Sequence, residues 1–69
     1  MTEFYICIQS DQRSPNFEVW DGPFKTMDVL KDSESYKAIV EQLTHGDAAV
    51  RDMFYLKLTP GEMPYIGDF

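Results

Sequence analysis

The chain has 69 residues, 43% of them hydrophobic and 26% charged, with twelve acids against six bases and a formal net charge of −6. That length accommodates one domain, and a domain so small buries only about 60% of the surface its unfolded chain exposes. The composition argues against intrinsic disorder, and the acidic balance against direct binding of nucleic acid, because a polyanion would be repelled.

The start, Met1-Thr2-Glu3-Phe4-Tyr5-Ile6-Cys7-Ile8, has no basic segment before its short apolar run and does not read as a signal peptide. No stretch approaches the roughly 20 apolar residues of a membrane helix. A single cysteine, Cys7, cannot close an internal disulfide. These features lead to the expectation of a cytoplasmic protein with no membrane partner.

Residues 3–9 alternate, Phe4, Ile6 and Ile8 on one side and Tyr5 and Cys7 on the other, which predicts a strand apolar on both faces and therefore central. Ser10–Asn16 is a polar loop. A second strand is predicted at residues 17–20, stopped by Asp21-Gly22-Pro23 because proline lacks the donor a ladder needs. Phe24–Asp32 is ambiguous between a short helical turn capped by Thr26 and a further strand. The main helix is predicted over residues 33–45, with Asp32 or Ser33 as its cap and Gly46 as its stop. Tyr36, Ile39, Val40 and Leu43 form its apolar stripe.

A second short helix is predicted to open at Asp47. Residues 53–58 read as a strand, Thr59-Pro60-Gly61 as a type II turn, and the apolar tail 62–69 as a possible fourth strand. The expected fold class is α+β: an antiparallel sheet of three, or four, strands in ββαβ order, with one main helix on one face and strand order 2-1-3. The β-grasp arrangement shares the hairpin–helix–strand order, and nothing beyond that order favours it.

One helix covers one sheet face. The covered face is predicted to hold Phe4, Ile6, Ile8, Phe54, Leu56 and Leu58, which leaves Tyr5, Cys7, Trp20, Met53 and Tyr55 on the other. Either the tail and residues 24–30 fold back over that second face, or it meets another molecule. Burial of each large side chain contributes roughly 1.5–3 kcal/mol, so a small domain has much to gain from covering them.

Catalytic chemistry has little support. His45 is the one histidine, and Cys7 and His45 could act together only if folding joined them. Asp28 and Asp32, four apart, suit a solvated helix face better than a metal site. No glycine-rich phosphate loop is present. The sequence is therefore read as having no enzymatic activity, metal or cofactor. It is read instead as a protein-binding module, a small acidic inhibitor or modulator that occupies a surface of a larger protein. Tyr5, Trp20, Tyr55 and Met53 would be its anchors, with Asp21, Asp28, Asp32 and Glu34 steering it toward a basic surface. Compact acidic domains of this kind are common among phage and mobile-element proteins directed at host defence, CRISPR effectors included. A homodimer serving as a structural or regulatory subunit is the alternative.

Overall fold

A computed structural model describes residues 1–9, 17–46 and 51–69. The predicted loop at 10–16 and residues 47–50 of the predicted second short helix lie outside the described residues. The elements are β1 (Glu3–Gln9), β2 (Glu18–Phe24), α1 (Met27–Lys31), α2 (Glu34–Thr44), β3 (Asp52–Leu58) and β4 (Tyr65–Asp68). They form an α+β fold, a four-stranded sheet in the order β2-β1-β3-β4 with every pairing antiparallel. The element order is β-β-α-α-β-β rather than the expected ββαβ.

The topology explains the layering. β2 and β3 both run antiparallel to β1, so they are parallel to each other with β1 between them. A connection between parallel strands must cross a sheet face, and α1 and α2 lie on that crossover. β3 to β4 needs only a turn: Gly61 adopts φ +82° and the Glu62 amide donates to the Thr59 carbonyl at 3.0 Å, the type II geometry expected. The described helices therefore cover one face of the sheet.

Both helices are capped as their sequences dictate. Thr26 accepts from the Val29 amide and Ser33 from the Tyr36 amide, so Ser33, not Asp32, caps α2. Asp32 instead ends α1 and pairs with Lys37 at 3.6 Å. The core beneath the helices consists of Ile6, Ile8, Leu30, Ile39 and Met53. Phe4, Phe24, Met27, Tyr36 and Leu43 pack around it. Val40, at the margin of the stripe, is exposed.

Two predicted boundaries are corrected. β2 does not stop at Asp21-Gly22-Pro23 but continues to Phe24. It is an edge strand, where half the backbone groups need no strand partner, so proline is tolerated there. Gly22 takes φ +138°, and register shifts in β1–β2 pairing accommodate the irregularity. Residues 51 and 52 do not extend a helix: the Arg51 amide donates to the Gln9 carbonyl at 2.8 Å and Asp52 opens β3.

A third correction concerns faces. β1 and β3 pair Ile8 with Met53, Ile6 with Tyr55 and Phe4 with Lys57. Partners share a face, so Met53, Tyr55 and Lys57 lie on the helix side. Phe54, Leu56 and Leu58 lie on the opposite side, the reverse of the expectation. A one-residue difference in register exchanges the two faces of a strand. β3 is apolar on both, so its alternation did not reveal which was which.

Candidate interaction surface

The face opposite the helices is built by strand alternation. β1 contributes Glu3, Tyr5, Cys7 and Gln9, and β3 contributes Asp52, Phe54, Leu56 and Leu58. β4 adds Ile66 and Asp68, opposite Leu56 and Phe54. β2 adds Val19, opposite Cys7. Phe17, just before β2, reaches the same side, its ring meeting Phe54 edge-on at 4.9 Å between centroids.

No described helix lies on this face. Val19 is 52% and Ile66 47% exposed, while Tyr5, Phe54, Leu56 and Leu58 are half-buried. Cys7, small and flanked by its cross-strand partners Val19 and Phe54, is fully buried. Burial pushes its thiol pKa up, so the group is protonated and inert at neutral pH.

The expected site residues are divided by the fold. Tyr5 belongs to the open face. Trp20 is the extra residue of a β-bulge, because Ile6 pairs with Asp21 and Cys7 with Val19, and it is half-exposed. Met53 is a core residue, corrected from a surface anchor. Tyr55 stands on the helix side, in an aromatic group with Phe4, Tyr65 and Phe69, and Phe69 in turn meets Tyr36.

The acidic residues expected to steer binding, Asp21, Asp28, Asp32 and Glu34, do not border the open face either. Asp21 accepts hydrogen bonds from the Gly22 amide and the Ser35 hydroxyl, which ties β2 to α2. Asp28 lies in α1, Asp32 ends it and Glu34 opens α2, so all three belong to the helical layer. Sequence reasoning missed Phe17, Val19 and Ile66 as members of the surface. The apolar content of 17–20 and of the tail was visible, but its face depended on pairing.

The fold does not bring together the Cys7–His45 pair considered from the sequence. Cys7 lies on the open face and His45 caps the far end of α2, on the other side of the sheet. Among the described residues no group of three or more His, Cys, Asp or Glu converges on a metal-sized site. A cleft of about 390 Å³ beside the start of β1 is lined by Met1, Thr2, Glu3, Pro23, Phe24 and Lys25. No described helix is long and apolar enough to cross a membrane. Comparison with known proteins found no matching family model, curated protein or solved structure.

Proposed function

We propose that the protein is a non-enzymatic binding module, an inhibitor or modulator that occupies a surface of a larger protein through its open sheet face. The observation that carries this reading is the contiguous apolar set of Phe17, Val19, Phe54, Leu56 and Ile66 on a face that no described helix covers. Contiguous exposed apolar area of this kind marks interaction sites. Tyr5 on the face and Trp20 at its bulged edge supply the aromatic types enriched at binding hot spots. Small size and acidity extend the proposal to the phage or mobile-element class of anti-defence proteins, inhibitors of CRISPR effectors among them.

The test is affinity capture from a host lysate, followed by reconstitution with the purified captured protein. Val19→Glu and Ile66→Glu change exposed positions and are expected to keep a native circular dichroism spectrum while losing the complex. Trp20→Ala is expected to weaken it. Unaltered binding by both charged variants, or no reconstituted complex, overturns the reading.

A further inference from the structure

The two edges of the sheet are not equivalent. β2 is blunted as an edge: Pro23 has no N–H to offer, Gly22 takes φ +138°, and the register against β1 shifts twice. β4 carries no such device. Its residues, Tyr65–Asp68, pair with β3 without a shift and include neither proline nor lysine. Alternate residues of a strand direct their N–H and C=O groups to opposite sides, so β4 holds half of these groups toward β3 and half outward. Among the described residues, no element beyond β3 packs extensively on β4, and no backbone group outside the sheet bonds to it. Its side chains are uncovered as well, Tyr65 56% and Ile66 47% exposed.

We propose that β4 pairs antiparallel with β4 of a second copy of this chain, across a two-fold axis normal to the sheet that passes between the two Ile66 residues. Such an axis preserves the faces, so only residues of the same face can stand opposite each other. With Ile66 on Ile66, two half-exposed apolar side chains meet on the open face. On the helix side each Tyr65 stands opposite Gly67 of the other copy, so no two bulky side chains collide. Each Asp68 falls opposite Pro64, and the two carboxylates lie four positions apart, roughly 13 Å along the strands. The next same-face register, Gly67 on Gly67, would instead set each Ile66 against an Asp68. The side-chain order of β4 thus complements itself in one register, which is what selects a second copy as the occupant. Because β2 is blunted, association closes at two copies and does not propagate. A contact between two four-residue strands is small beside the about 1,200 Å² of stable specific interfaces, so pairing depends on concentration. The net charge of −6 on each copy opposes approach, and salt relieves that repulsion. This pairing does not depend on the binding-module reading, and it leaves both open faces on one side of a continuous eight-stranded sheet.

The experiment measures the mass of the full chain by light scattering from micromolar to millimolar concentration. The mass is expected to rise from 8.0 kDa toward twice that, and to do so at lower concentration as salt is raised. Ile66→Lys, at an exposed position and with a native circular dichroism spectrum, is expected to remain a single chain, because a lysine blunts an edge. Val19→Glu, on the open face away from β4, is expected to dimerise as the parent does. A mass of one chain at every concentration overturns the proposal, and so does a dimer that Val19→Glu abolishes, which would be a face-to-face contact. Register is read by cysteine cross-linking in a glutathione buffer, with Cys7 buried and protonated in every variant. Ile66→Cys is expected to form a disulfide-linked dimer about tenfold or more faster than Asp68→Cys, since a disulfide spans no more than about 7 Å between α-carbons. Equal rates at the two positions overturn the pairing. The capture experiment reads the open face and this one reads the edge, so either can fail alone.

Discussion

The phenol ring of Tyr55 fills the space where Gly67, its cross-strand partner, would carry a side chain. A β-carbon built at Gly67 lies 2.5 Å from the Tyr55 ring and hydroxyl. The same ring meets Phe69 at 5.5 Å and Tyr65 at 6.0 Å between centroids, so the last strand is held by an aromatic group assembled around a missing side chain. Gly67→Ala should force that ring aside and destabilise the fold by about 1–3 kcal/mol, the usual cost of overpacking. A urea denaturation series checks this. Combining it with Tyr55→Leu should give less than the sum of the two single losses, because the residues share one space.

Ile39 is the side chain of α2 most deeply inserted between the layers, 1% exposed. Ile39→Val should cost about 0.5–1.5 kcal/mol and Ile39→Ala about 2–5 kcal/mol. In a domain this small the alanine variant is expected to be largely unfolded at room temperature. Val19→Ala, on the open face, should stay within about 0.5 kcal/mol of the parent, as other surface changes do. Thermal melts of the three variants separate core from surface.

Ser33 caps α2 through its hydroxyl, which accepts from the Tyr36 amide at 3.2 Å. Ser33→Ala should lower stability by about 0.5–2 kcal/mol, and Ser33→Asp should recover only part of it, because a carboxylate can accept from the Tyr36 amide but cannot donate to the Leu30 carbonyl as the hydroxyl does at 2.6 Å. The same measurement on Asp32→Ala should show a smaller change, since its pair with Lys37 is largely exposed.

Cys7 offers a pH prediction. Burial raises its thiol pKa in the folded state. The unfolded chain then releases the proton first as pH rises past the ordinary thiol value of about 8.5. Above that pH the folded state binds more protons than the unfolded state, so stability falls with rising pH. Below it the thiol is neutral in both states and contributes no slope. Denaturation midpoints of the parent and Cys7→Ala should diverge in shape only in the alkaline range. A thiol reagent such as dithiobis-nitrobenzoate should react slowly with the native protein and quickly in denaturant.

Much of the local structure is legible in the residues themselves. The stripe from Tyr36 to Leu43 and the cap at Ser33 specify α2. Gly46 ends it with φ +71°, and Pro60-Gly61 forms its turn. These features act over three or four residues, so composition and spacing decide them without distant partners. The two-sided apolarity of residues 3–9 also identified β1 as an interior strand, which the order β2-β1-β3-β4 bears out.

Tertiary pairing decided the rest. β3 alternates Met53, Tyr55 against Phe54, Leu56, Leu58, and both sets are apolar enough for either face. Only the register against β1 places Met53 in the core and leaves Leu56 on the open face. β2 passes through Gly22-Pro23 because it occupies an edge, a property of the sheet and not of the segment. The carboxylates that border the open face, Glu3, Asp52 and Asp68, are far apart along the chain and become neighbours of one surface only when β1, β3 and β4 are in register. Local chemistry thus determined which elements form, while strand register, set between segments, determined which side chains meet solvent together.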